Sequence, residues 1–314
     1  MVAAETGRVI RVDSKVCWVR MKTDTLVKCP IRGRLFLTSS EAKNPVAVGD
    51  RVEVLRVPDS DEEGSIESVL PRRNKLSRPV TASSGRREQV IVANVDILAV
   101  VVAAARPRFK LGLIDRYLIV AARQELHPIV VVNKIDLVDP AAVKKDLSVY
   151  ANLNVQLAYT SALRGDGMDD LARLVQGKQV VFSGHSGVGK STLLNALQPD
   201  LEIQTKAVSS RTGKGVHTTT RVTLFETKQG GSLIDTPGIR AMGLWQVEPN
   251  EVDLYFKEIT EKAAECRFRT CTHNKEPGCA VKEAVERGEI HHRRFESFRR
   301  IAGSLEEEQR ERGY

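Results

Sequence analysis

Eight consecutive residues, Gly184-His185-Ser186-Gly187-Val188-Gly189-Lys190-Ser191, have the spacing G-x-x-x-x-G-K-S. In a loop of this kind the glycines let backbone N–H groups turn inward around a polyphosphate, and the start of a following helix adds positive dipole. His185, Ser186 and Val188 contribute to that cradle through their peptide N–H groups. Lys190 supplies a point charge to the β- and γ-phosphate oxygens, and Ser191 offers a hydroxyl to magnesium, with Thr192 beside it. The context is right: the apolar stretch Val180-Val181-Phe182 leads in, and Ser191 to Leu197 reads as a helix.

A phosphate loop alone does not choose a base. Asn133-Lys134-Ile135-Asp136, directly after the apolar run Ile129 to Val132, does. A carboxylate at Asp136 can accept two parallel hydrogen bonds from guanine N1–H and its exocyclic amine, a donor pair that adenine lacks. Asn133 can tie the loop and reach the purine edge, and the stem of Lys134 can lie over the ring. Thr160-Ser161-Ala162 also follows a strand, and the Ala162 N–H can meet guanine O6. Asp235-Thr236-Pro237-Gly238 fits Asp-x-x-Gly: Asp235 would hold magnesium through water, and the Gly238 N–H would sense the γ-phosphate. Between these elements, residues 211–220 are rich in Gly and Thr with no periodic apolar face. That composition predicts a switch, one of whose threonines completes the magnesium shell when a γ-phosphate is present.

Many GTPases place a glutamine immediately after Asp-x-x-Gly to orient the attacking water. Here that residue is Ile239, which can neither donate nor accept. His217, within the switch, is the candidate catalytic group, because an imidazole can orient water or take a proton near neutral pH. Contact with RNA, or simple packing of the switch, are the competing roles for it. Gly187 stands where some GTPases carry a potassium-binding asparagine, so potassium dependence is not expected.

A second chemical set lies near the C-terminus. Cys266, Cys271, His273 and Cys279 place three thiols and one imidazole within a short span. Tetrahedral zinc takes such Cys3His sets at closed, structural sites. One structural zinc is therefore expected, with its binding energy doubling as folding energy for a segment too short to build a core. Cys17 and Cys29 lie far away in sequence and are expected to be buried or incidental.

The elements that position these groups fall into three parts. Period-two alternation at 8–12, 15–19, 26–28, 51–54 and 65–70 predicts short half-buried strands, hence a small β-barrel of the OB type. Trp18 and Phe36 are either core residues or nucleic-acid stacking platforms. Residues 71–89, basic and containing Pro, Ser and Gly without periodicity, read as an exposed linker or a loop ordered by a partner. Apolar runs at 97–103, 128–132, 155–159, 180–183 and 232–234 then alternate with helical stretches near 110–124, 140–150, 167–176 and 189–197. This is the pattern of buried parallel strands in an α/β domain. The remainder is helical and charged. Phe295, Phe298, Ile301 and Leu305 make an apolar stripe suited to docking. Arg293, Arg294, Arg299 and Arg300, with Arg267 and Arg269, are either RNA phosphate contacts or a solvated basic face. The expected division is 1–82 for the barrel and linker, 83–245 for the GTPase domain and 246–314 for the zinc-binding helical domain.

The order of the nucleotide motifs is unusual. Small GTPases run phosphate loop, switch, Asp-x-x-Gly, Asn-Lys-x-Asp, Ser-Ala, whereas here Asn-Lys-x-Asp and Ser-Ala come first. The same sheet can be wound from another strand when the natural termini lie close together, so the domain is a circular permutation. Permutation also runs the Asp-x-x-Gly switch through residues 239–245 into the C-terminal part, where nucleotide state can alter docking.

With the His-Thr-Thr-Thr switch, the barrel and the cysteine insert, this order resembles the ribosome small-subunit-dependent GTPase A family (RsgA, or YjeQ) from the barrel to about Ile301. The resemblance implies a cytoplasmic GTPase that converts GTP to GDP, acts late in maturation of the small (30S) ribosomal subunit, binds its ribosomal RNA and is stimulated by it. It also points to His217 as catalytic, to Thr219 as the magnesium ligand beside Ser191 and Asp235, and to the cysteine spacing as the family's zinc motif.

Composition agrees with a polyanionic partner: 48 Lys+Arg against 40 Asp+Glu leave a formal charge of +8 over 314 residues. No apolar run approaches the ~20 residues of a membrane span, and the N-terminus lacks a signal pattern, so a protein away from membranes is expected; nothing in the sequence demands more than a monomer. An RNA-binding module whose nucleotide only regulates affinity, and a GTPase serving transfer-RNA modification or membrane transport, are the rival readings. The first separates from an enzyme on whether ribosomal subunits raise turnover. The barrel, the zinc insert and the absence of a membrane segment disfavour the second.

Overall fold

The computed structural model describes residues 4–31, 33, 35, 44–58, 60, 62–82, 85–153, 155–201, 222–236, 244 and 247–312. The N-terminal strands are β1 (Glu5–Asp13), β2 (Val16–Met21), β3 (Leu26–Pro30), β4 (Arg51–Arg56) and β5 (Gly64–Val69). Antiparallel pairing joins β3 to β2, β2 to β1, β1 to β4 and β4 to β5. A parallel bridge between Lys28 and Glu63 brings β3 back to β5, which closes the barrel in the OB order. Alternation decides what is inside. On β2, Cys17, Val19 and Met21 point into a core that also holds Val9, Val27, Val52, Val54 and Ile66. Trp18, one step out of phase, is half-buried on the outer face beneath the Arg11 guanidinium, 5.5 Å from its ring centroid. It is therefore not a core residue; Phe36 lies outside the described residues. Cys17 and Cys29 are cross-strand partners, both fully buried, and burial pushes their thiols up to about 12 and about 11. They are inert core thiols.

The expected linker is not a loop. Strands β6 (Lys75–Ala82) and β7 (Gly85–Ala93) pair as an antiparallel ribbon from Lys75↔Ala93 to Ala82↔Gly85, with a register shift between Leu76 and Ser77. Pro79 argues against a strand only in a sheet interior, and both strands of a two-stranded ribbon are edges. Its base is clamped from both sides. Asn44 of the barrel segment exchanges two hydrogen bonds with the Val90 backbone, at 2.8 and 3.1 Å, and Gln124 accepts from the Ser77 N–H at 2.8 Å. Just before the ribbon, Arg72 forms two hydrogen bonds to the buried Asp50 carboxylate, at 2.7 and 2.8 Å.

The second sheet region contains β8 (Ile97–Ala103), β9 (His127–Asn133), β10 (Gln156–Tyr159), β11 (Gln179–Ser183), β12 (Thr223–Glu226) and β13 (Ser232–Asp235). Its order is β10-β9-β8-β11-β13-β12, parallel except for β12 at the edge. Residues of β8 alternate between two cores: Ile97, Ala99 and Val101 on one face, Leu98, Val100 and Val102 on the other. A strand covered on both faces has to be apolar throughout, which is why it reads as one uninterrupted run. Helices α1 (Leu111–Arg123), α2 (Pro140–Leu147), α3 (Met168–Val175) and α4 (Lys190–Leu197) lie where helical periodicity places them. The β1–β12 contact, Arg11↔Thr223, makes the barrel and this sheet continuous.

The C-terminal part holds a 3-10 helix (Pro249–Tyr255), α5 (Lys257–Ala263), α6 (Ala280–Glu286) and α7 (His292–Arg312). The stripe Phe295, Phe298, Ile301 and Leu305 is buried and shares one core with Ile114, Tyr117 and Val130 of the α/β region. Arg294 is the exception among the described basic side chains of α7. Only 3% of its side chain is exposed; it pairs with the buried Asp115 of α1 and with Glu258 of α5 at 2.6 Å, and lies 4.2 Å from the Phe256 ring centroid. Buried and paired, it is removed from the set of RNA contacts expected from sequence. Tyr150 completes the cluster by donating to Asp115 Oδ1 at 2.7 Å. Removing one partner of a buried pair leaves the other charge uncompensated. Arg294→Ala is expected to lower unfolding free energy by about 3–5 kcal/mol in urea titrations, and adding Asp115→Asn should recover part of that loss. Additive losses would mean the two residues do not act as a pair.

Candidate nucleotide site and metal cluster

Every nucleotide motif within the described residues sits at the carboxyl end of a parallel strand, where open α/β sheets bind ligands. β11 runs into the phosphate loop, β9 into Asn133-Lys134-Ile135-Asp136, β10 into Thr160-Ser161-Ala162 and β13 into Asp235-Thr236. The phosphate loop needs glycine at two places. A Cβ on Gly184 would run into the Val101 carbonyl, and one on Gly189, at φ +94°, into the Asn133 side-chain amide. Gly189 caps the start of α4, so Lys190, Ser191 and Thr192 form the first turn of that helix. The Lys190 ammonium donates to the carbonyls of Gly184 at 2.6 Å and His185 at 3.2 Å. Burial lowers its pKa, against the opposing attraction of Asp235.

Asn133 joins three loops. Its Nδ2 donates to the Val188 carbonyl of the phosphate loop at 3.0 Å. Its Oδ1 accepts from the Ala162 N–H at 3.1 Å and from the Thr160 hydroxyl at 3.4 Å. Lys134, in the left-handed region at φ +64°, sends its ammonium to the Gly187 carbonyl at 2.5 Å and the Arg106 carbonyl at 2.8 Å. Asp136 follows in a 3-10 turn (Ile135–Leu137), half-exposed. The base-reading and phosphate loops, remote and reversed in the chain, are thus in direct contact. The Ala162 N–H, expected at guanine O6, is directed at Asn133 here, so reaching O6 requires sharing or re-aiming that donor. Ser161 is fully buried and packs the same turn, its Oγ accepting from the Arg164 N–H at 3.2 Å.

Asp235 is suited to a cation. Its Oδ1 is buried with no hydrogen-bond partner among the described residues, and burial raises its pKa while Lys190 lowers it. A buried carboxylate oxygen without a donor beside a phosphate loop fits the magnesium that accompanies a nucleotide. His217, Thr219 and Gly238, expected from the sequence to be the catalytic histidine, a magnesium ligand and the γ-phosphate sensor, lie outside the described residues, as do Ile239 and residues 211–220.

Sequence reasoning did not find the supports behind these loops. Arg106 and Pro107, after β8, back the Lys134 ammonium and Gly187. Tyr117 of α1 shares a hydrogen bond with Ser183, the residue before the phosphate loop, at 3.1 Å. Thr236 donates to the Phe182 carbonyl at 2.8 Å. No spacing rule announces such contacts, which form only once the strands are neighbours.

In the C-terminal part, the ligand atoms of Cys266, Cys271, His273 and Cys279 lie within 4.8 Å of one another. His273 Nδ1 is 3.6 Å from Cys266 Sγ and 3.4 Å from Cys279 Sγ, and those two sulfurs are 3.9 Å apart. Edges of that length suit a tetrahedron around an ion with metal–sulfur bonds near ~2.3 Å. Burial lowers the His273 pKa, which favours the neutral imidazole that can ligate. Cys279 caps α6, whereas Cys266 and Cys271 lie in the preceding loop. The four residues expected from spacing are those brought together, and they can bind a metal ion.

Fold and site together define a P-loop nucleotide-binding domain with its base-reading loop placed ahead of its phosphate loop. A family model, RsgA GTPase, matches residues 69–245. A protein of Chlorobaculum parvum named small ribosomal subunit biogenesis GTPase RsgA is 42% identical over 276 residues, covering 86% of this chain and 89% of the relative. One of the same name from Actinobacillus pleuropneumoniae is 38% identical over 315 residues, covering 99% and 88%. The crystal structure of YjeQ from Thermotoga maritima superposes with a TM-score of 0.75 at 35% identity, covering 96% of this chain and 98% of that one. YloQ, described as a circularly permuted GTPase, gives 0.71 at 29% identity, covering 97% and 96%. The chain belongs to the RsgA GTPase family and is a GTP hydrolase whose domain implies a magnesium ion. No described helix is long and apolar enough to cross a membrane.

The three-way role of Asn133 makes a direct prediction. Asn133→Asp keeps an acceptor for Ala162 but sets an anionic oxygen against the Val188 carbonyl. It is expected to cost about 1–3 kcal/mol of stability in urea titrations. Stability equal to the parent would show that the loops are held together by something else.

Proposed function

We propose that this chain is a GTP-driven switch in late maturation of the small (30S) ribosomal subunit, with hydrolysis of GTP to GDP and phosphate stimulated by that subunit. The observation that carries the nucleotide half is the Asn133 junction between base loop and phosphate loop. The ribosomal half rests on the relatives named for small-subunit biogenesis. In our reading Asp136 accepts the guanine N1–H and amine, and Asn133, Lys134, Ser161 and Ala162 complete the base pocket. Residues 184–192 cradle the phosphates, and Gly238 senses the γ-phosphate. Ser191, Thr219 and Asp235 would hold magnesium, which would supply positive charge against the transferred phosphoryl group. His217 orients the attacking water, a role that Ile239 cannot take.

The division of labour we infer runs 1–82 for the barrel, 83–245 for the GTPase domain and 246–314 for the helical, metal-binding part. Ribosomal RNA would meet the barrel and the exposed Arg267, Arg269, Arg293, Arg299 and Arg300. The ion at Cys266, Cys271, His273 and Cys279 is taken to be one structural zinc, since a closed thiolate-rich set suits it. No disulfide joins any of the five cysteines, in keeping with the reducing cytoplasm in which we place the protein as a monomer.

GTP turnover should rise by orders of magnitude with purified small subunits and not with large ones; equal stimulation by both, or by neither, removes the ribosomal assignment. Asp136→Asn replaces one acceptor oxygen with a donor. It should weaken GTP binding at least ~100-fold, from two charge-assisted bonds, and favour xanthosine triphosphate; unchanged base preference would exclude Asp136 as the reader. His217→Ala should reduce subunit-stimulated turnover ~100-fold or more with GTP affinity retained. Full stimulated turnover in that variant would rule out His217.

A further inference from the structure

Glu276, between the third and fourth ligands of the metal set, accepts four hydrogen bonds from the stretch that carries the second and third. Its Oε1 takes the Thr272 N–H at 2.8 Å and the Thr272 hydroxyl at 2.7 Å. Its Oε2 takes the N–H groups of Asn274 at 2.9 Å and Lys275 at 3.0 Å. Thr272 and Asn274 flank His273, so the two oxygens of one carboxylate pin the peptide groups on either side of that ligand. His273 is itself in the left-handed region, at φ +58°. A non-glycine residue persists there only where its surroundings over-determine it. The conformation turns Nδ1 toward the sulfurs of Cys266 and Cys279. From the other side, Arg299 of α7 donates to the Asn274 side-chain oxygen at 2.8 Å.

We infer that Glu276 is a positioning residue for the metal: it builds the turn that presents Cys271 and His273 together before any ion arrives. This rests on reading Cys266, Cys271, His273 and Cys279 as a metal site. A free loop of this length would have to order both ligands at the moment of binding, at the expense of affinity. With the carboxylate in place that ordering is already complete, and the ion has only to bring in Cys266 and Cys279. Partners behind the ligands that fix their orientation typically change metal affinity by ~10–100-fold. Glu276 differs from the usual kind in gripping the backbone around the ligand rather than its ring.

The test is zinc release from the full-length protein to a chromophoric chelator, followed in the parent and in Glu276→Gln. The amide keeps one acceptor oxygen and turns an NH2 group against donors, so release should quicken by ~10–100-fold. Thr272→Val removes only the hydroxyl contact and should quicken release less, in the same direction; it serves if Glu276→Gln does not fold. In both variants GTP binding, which depends on the distant phosphate loop, should stay at the parental level. Cobalt substituted for zinc should give Glu276→Gln an altered ligand-field spectrum. A parent that holds one zinc, with variants that release it at the parental rate and with an unaltered cobalt spectrum, would overturn the role of Glu276 and leave the metal site standing. A parent that takes up no zinc or cobalt would overturn the metal reading itself.

Discussion

The nucleotide site depends on the carboxamide of Asn133. One planar group donates to Val188 and accepts from Ala162 and Thr160, and so holds three loops from three strands in one arrangement. Neither a carboxylate nor an apolar side chain of that size could do both, because the task needs a donor and an acceptor on one rigid fork. Gly189 follows from it: the phosphate loop approaches that amide so closely that a Cβ has no room. Lys134 supplies a second tie, bridging Gly187 and Arg106 with an ammonium that a nucleotide-binding loop can ill leave free. The site is thus preorganised by contacts among its own loops, and the strands beneath set only their spacing.

Permutation is tolerated because the sheet does not depend on where the chain begins. β8 and β11 are neighbours although the base loop and its helices intervene between them, and each is covered on both faces. What changes is the company the domain keeps. β12, at the sheet edge, meets β1 of the barrel, and α1 carries contacts in two directions. Tyr117 reaches Ser183 before the phosphate loop, while Asp115 and Arg116 reach Arg294 and Ser304 of α7. The helical C-terminal part is consequently built into the main core rather than tethered to it, with a buried ion pair at the junction. Such a pair contributes little net stability but penalises any other docking geometry, which would leave a charge buried and alone.

The metal cluster uses the opposite strategy. Few apolar side chains are available in residues 264–279, and Phe268 is exposed. Here the polypeptide is shaped by hydrogen bonds to Glu276 and by the ligand set itself, an economy available to short segments that cannot bury a core. The neighbouring ring of Phe298, 6.0 Å from the His273 imidazole, ties the cluster to α7.

Much of this was legible in the amino-acid order because local chemistry suffices for it. Loop motifs require specific residue types at fixed spacing, buried parallel strands require unbroken apolar runs, and barrel strands require alternation. The Cys266, Cys271, His273 and Cys279 spacing belongs to the same class. Tertiary structure alone decided the rest. Pro79 and a basic composition disguised β6 and β7, which pair with each other while Asn44 and Gln124 from distant segments hold the base of the ribbon. Arg294 looks like its neighbours Arg293 and Arg299, yet α7 turns it inward to Asp115, some 180 residues earlier. Trp18 is aromatic but out of phase with the core. Whether a polar side chain is solvated, paired or structural depends on what lies opposite it in space, and a linear pattern carries no record of that partner.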